Sequence, residues 1–104
     1  MSETIKTDKE RFSELLDEYP RLAGFWDRSN PNPCEWTCDL ERVRAVGGAL
    51  SGGECVIVDC LVSIWSGGLK AGTDDFRIDF SDIATLDRES RRPLIGWLLN
   101  PFWL

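Results

Sequence analysis

Apolar residues near the start of the chain recur at intervals of three and four. This spacing is typical of one face of an α-helix, and it covers Phe12, Leu15, Leu16, Tyr19, Leu22, Ala23 and Trp26. Thr7 and Glu10 stand at the two ends of a capping box, so we expect the helix to begin there. Pro20 interrupts the pattern. It predicts either a kinked helix or a helix that ends at Tyr19 and restarts with Pro20 in a first turn.

A loop and a second helix are expected next. Residues 29–33, Ser-Asn-Pro-Asn-Pro, have the composition of a loop, because each proline disfavours helical geometry in the residue before it. The pattern then predicts a helix from about Cys38 to Val46, stopped by the glycine pair 47–48. One face of that helix would carry Trp36, Leu40, Val43 and Gly47.

The run of residues 55–65 is the most apolar part of the chain and permits two interpretations. Its β-branched residues favour a buried strand. Its length, a capping box formed by Ser51 and Glu54, and the glycine pair 67–68 behind it favour a helix. Asp59, Ser63 and Ser66 would then form a narrow polar stripe on an apolar cylinder. We predict a buried central helix.

The last third of the chain alternates before it returns to helical spacing. Phe76, Ile78 and Phe80 alternate with polar residues, which predicts a short extended segment near 76–80. Residues 81–86 are expected to form a helical turn, and Asp87 to cap a last helix over residues 88–99. The predicted fold is therefore mainly α: residues 1–104 as a single acidic helical domain, a small bundle of about four helices with that extended segment.

Charge and hydropathy restrict the classes of partner. The 104 residues include 12 basic and 18 acidic side chains, a formal charge of −6. Such a chain is not expected to bind nucleic acid directly, because that affinity comes from clusters of Lys and Arg. No apolar run approaches the roughly 18 residues of a membrane span, and the first residues do not resemble a signal peptide. We expect a cytoplasmic protein that does not bind membranes.

The chain contains no histidine, which removes the most common catalytic acid and base. Leu50-Ser51-Gly52-Gly53-Glu54 resembles the Leu-Ser-Gly-Gly-Gln signature of ABC-type ATPases, whose helix N-terminus touches nucleotide phosphate. The chain lacks a Gly-x-x-x-x-Gly-Lys-Ser/Thr loop to hold the other phosphates, so we interpret this segment as a capping box. We predict no enzyme activity and no cofactor.

Four cysteines, Cys34, Cys38, Cys55 and Cys60, raise a zinc-binding alternative. Cys34 and Cys38 have a spacing that zinc sites use, and with favourable loop geometry they would also suit a disulfide. Cys55 and Cys60 are five residues apart, so on a helix they point about 140° away from each other. We expect reduced thiols that pack in the core, and no metal.

The remaining candidates indicate a binding protein. The carboxylates Asp74, Asp75, Asp79 and Asp82 would form an acidic surface for a basic partner protein. Trp36 and Trp103 are the tryptophans least fixed by a helical pattern, so they are the candidate apolar anchors.

In size, charge and aromatic content the chain is similar to small acidic inhibitors, among them anti-CRISPR proteins of phages and immunity proteins against bacterial toxins. That resemblance implies a non-catalytic inhibitor that occludes a basic surface. The alternatives are a structural or oligomerising domain, including a homodimer, and a small zinc-binding protein.

Overall fold

The structure, a computed structural model, describes residues 7–32, 35–39, 41–42, 52–67, 76 and 78–104. This part of the chain is mainly helical, with five helices and one short antiparallel strand pair. In chain order the elements are α1 (Asp8–Asp17), α2 (Pro20–Ala23), β1 (Trp26–Asp27), β2 (Thr37–Cys38), α3 (Gly52–Trp65), α4 (Phe80–Thr85) and α5 (Arg88–Leu99).

The first helix begins as its capping residues predict and ends before the proline. The Thr7 hydroxyl accepts a hydrogen bond from the Glu10 amide at 3.2 Å. Pro20 occupies the first turn of α2, where its missing N–H costs nothing, so the restart is confirmed and the continuous kinked helix is wrong. The expected extension of the helix to Trp26 is also wrong, because Trp26 lies in β1. Trp26 is nevertheless buried, so the apolar pattern located a core residue correctly.

Strands β1 and β2 form a hairpin that the sequence pattern did not indicate. Trp26 pairs with Cys38, and Asp27 pairs with Thr37. The helix predicted to begin at Cys38 is therefore wrong at its start, because the β1 backbone holds that residue in a strand. Residues 41 and 42 are helical. The rest of that prediction, with Leu40, Val43 and the glycines, lies outside the described residues.

The central helix α3 confirms the helical interpretation of the apolar run. It is buried almost all round between Ile57 and Ile64. Gly67 follows it with a φ of 70°, a left-handed conformation that favours glycine. The Leu104 amide donates to the Ile64 carbonyl at 3.1 Å, so the last residue of the chain covers the end of this helix. The predicted capping residue Ser51 lies outside the described residues.

The third part of the chain matches its prediction except at Phe80. Asp87 caps α5 by accepting from the Ser90 amide at 3.1 Å, and α5 has the predicted bounds. Residues 76, 78 and 79 precede α4 and belong to neither helix nor strand. Phe76 is buried, whereas Phe80 is the first residue of α4 and is exposed. The extended segment that was predicted near 76–80 therefore ends at Asp79, whose backbone is extended, and its bound at residue 80 is wrong.

Aromatic side chains fill the core between α1, the hairpin and α3. The Phe12 ring lies 6.3 Å from that of Trp26 and 6.2 Å from that of Trp36, and Trp26 meets Trp65 edge to face at 6.3 Å. Rings at these separations are in the range where aromatic pairs attract beyond their buried area. Helix α4 packs on both α3 and α5. These contacts fix the position of α4 and of the side chains that it exposes.

Candidate partner-binding surface

Helix α4 carries an aromatic side chain that is exposed to solvent, and a carboxylate stands on either side of it in the sequence. Phe80 is 68% exposed, and Asp79, which precedes it, and Asp82, two residues after it, are exposed as well. Ile83, one turn further along the helix, is 5% exposed and fixes the helix to the core. We name Asp79, Phe80 and Asp82 the α4 surface.

The local sequence explains why this turn forms. Asp79 has extended backbone angles, and its Oδ1 accepts from the Ser81 amide at 2.8 Å, which caps the helix. Its backbone carbonyl accepts from the Ile83 amide at 3.0 Å, which closes the first turn. The Thr85 hydroxyl donates to the Asp82 carbonyl at 2.6 Å and satisfies an acceptor near the helix end. Asp79 therefore serves as the cap while its charge stays at the surface.

A third carboxylate, Asp59 on α3, adds to the negative potential next to this surface. Partial burial raises the pKa of Asp59 to about 6, and the negative charge of Asp82 contributes to that increase. Among the described residues no Lys or Arg forms an ion pair with Asp59, Asp79 or Asp82. Carboxylates without a cation among the described residues are available to a cation of another molecule.

The predicted site residues do not all lie on one exposed surface. Asp79 and Asp82 lie together on α4, whereas Asp74 and Asp75 lie outside the described residues. Trp36 is 7% exposed, its indole N–H donates to the Asn30 carbonyl, and its ring packs on Phe12. The prediction of Trp36 as an exposed anchor is therefore wrong, because its ring completes the core.

Trp103 keeps a substantial exposed area. Its side chain is 45% exposed, and its ring packs edge to face on the Trp97 ring at 5.3 Å. The Trp97 indole N–H donates to the Phe102 carbonyl at 2.9 Å, which fixes the path of the chain just before Trp103. Trp103 is therefore exposed enough to contact a partner, and its role as an anchor stays a prediction.

Two residues of this region were missed by the sequence analysis. Phe80 was assigned to the extended segment near 76–80, although Asp79 before it is a good N-cap residue and would have moved Phe80 into a helix. Asp59 was treated only as part of a polar stripe. The sequence could have indicated Asp59 as a candidate, because it is the one carboxylic side chain inside the apolar run of residues 55–65.

Two of the described cysteines have the properties of core residues. Cys60 is buried in the core, Cys38 packs against it, and neither thiol is in a disulfide. Burial raises the pKa of Cys38 and of Cys60 to about 12, the reverse of the shift that activates a catalytic cysteine. No group of three or more metal-ligating side chains occurs in the part of the chain that the structure describes, which leaves out Cys34.

Comparison of the chain with protein-family models, with curated proteins and with solved structures finds no match. Within the described ranges, the helices are too short or too polar to cross a bilayer.

Proposed function

We propose that this chain is a non-catalytic protein-interaction module that binds a basic surface of a partner protein through the α4 surface. The observation that carries the proposal is the exposure of Phe80 on the same short element as the exposed carboxylates of Asp79 and Asp82. A large aromatic ring in water is unfavourable, and burying it against a partner is worth about 1.5–3 kcal/mol. Such rings are common among the residues that dominate binding energy.

The carboxylates add orientation and selectivity to this apolar contact. Acidic side chains at the edge of an interface speed the approach of a basic partner and disfavour acidic ones. Their contribution to affinity is smaller, about 0.2–1 kcal/mol for each exposed ion pair. Phe80 would therefore supply most of the affinity, and Asp79 and Asp82 would supply most of the selectivity.

The mode of action we propose is occlusion, as in the anti-CRISPR and toxin-immunity proteins to which the chain is similar in size and charge. If the partner's basic groove binds nucleic acid, the carboxylates of the α4 surface would occupy the positions of phosphates. The module itself would not bind nucleic acid. We propose a cytoplasmic location and a scaffold of about four helices in a bundle, with the short α2 turn as an addition. Affinity should fall as salt concentration rises.

The test is affinity capture with matched variants. The double variant Asp79→Asn/Asp82→Asn removes two charges, while the asparagine introduced at position 79 keeps a side chain that can cap the helix. Its control, Asp39→Asn/Glu41→Gln, removes the same charge from exposed positions elsewhere. Phe80→Ala has Leu99→Ala as its control, since Leu99 is 82% exposed.

We expect Phe80→Ala to weaken binding of the captured partner by about 30-fold, which corresponds to roughly 2 kcal/mol. The charge variant should weaken binding about 3- to 10-fold. Both controls should stay within about twofold of the wild type, the margin left by neutral surface contacts. Equal losses in a variant and its control would refute the α4 surface as the binding site.

A second candidate function is self-association through the outer face of α5. Ile95 and Leu99 are one helical turn apart on that face, 41% and 82% exposed. A symmetric pair of α5 helices would cover both side chains in each copy. Light scattering of the wild type and of Leu99→Asp separates the candidates: a dimer that the variant dissociates supports self-association, and a monomer at all concentrations excludes it.

A further inference from the structure

An open groove runs between α1 and α5, on elements other than the α4 surface. Its volume is about 1420 Å³. Sites for small molecules usually measure about 300–1,000 Å³ and enclose most of the ligand. A groove of this volume that is open to solvent is better suited to a segment of polypeptide. We name this feature the α1–α5 groove.

Three apolar side chains lie under the α1–α5 groove, although most of the groove's exposed surface is polar. Leu15, Trp97 and Phe102 line it, each buried except for about 7% of its surface. The hydroxyl of Tyr19 donates to the Ser90 carbonyl at 2.6 Å and ties α5 to the end of α1. The floor is therefore held by core packing, and a bound segment would not have to order it.

The rim of the α1–α5 groove is acidic. Five carboxylates and two guanidinium groups line the groove, a formal balance of −3. Arg11 is directed to the floor, where its guanidinium donates to the Asn100 carbonyl and lies 4.4 Å from the centre of the Phe102 ring. The carboxylates are those of Asp8, Glu14, Glu18, Asp87 and Glu89. The charge complement of this rim is a segment that carries Lys or Arg.

The α5 wall contains two residues that are unfavourable in a helix interior, Pro93 and Gly96. A Cβ atom built on Gly96 would meet no atom within 4 Å, so the missing side chain leaves free space. Pro93 has no N–H, so the Glu89 carbonyl lacks its usual helical donor. The wall thus gives room for close approach and leaves a backbone acceptor for a bound chain.

We infer that the α1–α5 groove binds an extended, Lys- or Arg-bearing segment of a protein. Its apolar side chains would lie on the floor at Leu15 and Phe102, and its cations would face the rim at Glu18 and Glu89. This site is separate from the α4 surface, so each can be tested without the other.

The experiment measures fluorescence anisotropy of a labelled synthetic peptide in which Lys and Leu alternate, with a Glu–Leu peptide as the probe of opposite charge. Gly96→Leu fills the groove. Its control is Gly24→Leu, because a Cβ on Gly24 also meets no atom within 4 Å. Glu18→Gln/Glu89→Gln lowers the rim charge, and Asp39→Asn/Glu41→Gln removes the same charge elsewhere. Circular dichroism of each variant checks its fold.

We expect the Lys–Leu peptide to bind and the Glu–Leu peptide not to bind. Gly96→Leu should weaken binding at least about 10-fold and the rim variant about 5-fold, with both controls within about twofold. Asp79→Asn/Asp82→Asn should leave peptide binding unchanged, which keeps this site distinct from the α4 surface. Absence of peptide binding, or equal losses in the rim variant and its charge control, would overturn the inference. If Gly96→Leu unfolds, the comparison of Glu18→Gln/Glu89→Gln with its charge control still tests the inference.

Discussion

Replacement of Asp59 by Asn should stabilise the protein at neutral pH and have no effect in acid. Burial raises the pKa of this carboxyl to about 6 from an ordinary value of 3.8. A group whose pKa is raised by folding stabilises the folded state at low pH, where it is protonated in both states. That stability is lost as pH rises from about 4 to about 6, because the unfolded chain releases the proton first.

The size of the effect follows from the shift. Two pKa units correspond to about 3 kcal/mol of unfolding free energy. Asp59 is only half-buried, and water screens its charge, so we reduce this upper bound to about 1–1.5 kcal/mol. Asn removes the charge at nearly constant shape. Asp82→Asn should also raise the free energy of unfolding at pH 7, but by less, because the charge of Asp82 is the second cause of the pKa shift of Asp59.

Urea denaturation measures the free energy of unfolding of the wild type and of Asp59→Asn, each at pH 7 and at pH 3.5. We expect Asp59→Asn to exceed the wild type by about 1–1.5 kcal/mol at pH 7, and to equal it at pH 3.5, where the wild-type carboxyl is protonated. The same difference at both pH values would refute the reasoning, since it would show that shape or packing, and not charge, separates Asn from Asp.

Three further substitutions test the packing, each by thermal or urea denaturation. Tyr19→Phe should cost about 1–2 kcal/mol because the Ser90 carbonyl loses its donor, and an unchanged midpoint would contradict that bond. Ser63→Ala should stabilise by about 1 kcal/mol, since the buried hydroxyl finds no partner among the described residues, and destabilisation would reveal one. Gly67→Ala should cost about 1–3 kcal/mol, because its Cβ would lie 2.5 Å from the Leu104 carbonyl oxygen at a φ of 70°; an unaltered melting temperature would exclude that close approach.

Local sequence signals predicted the helices well where a cap and a stop flank an apolar pattern. Thr7 and Asp87 cap helices as expected, and the run of residues 55–65 is helical despite its β-branched residues. The polar stripe of this largely buried helix is narrow, so the length of the run, its flanking capping box and the glycines were needed to favour a helix over a strand.

Tertiary pairing explains where the sequence failed. Cys38 was assigned to a helix, but its strand depends on a partner twelve residues earlier, and periodicity within one segment does not report such pairing. Trp36 follows a proline-rich loop, and only the fold shows that Phe12 lies beside it. Phe80 was not among the candidate site residues, because the alternation of residues 76–80 predicts an extended segment. That segment overlaps the start of the short helix α4.

The central claim, recognition of a basic partner through the α4 surface, is tested most directly by capture from a lysate of the source organism. Wild type, Phe80→Ala and Leu99→Ala are immobilised at equal density, and retained proteins are eluted with increasing salt. We predict a basic protein that the wild type and Leu99→Ala retain and that Phe80→Ala releases at lower salt. A retained set that is identical for all three proteins would contradict the claim.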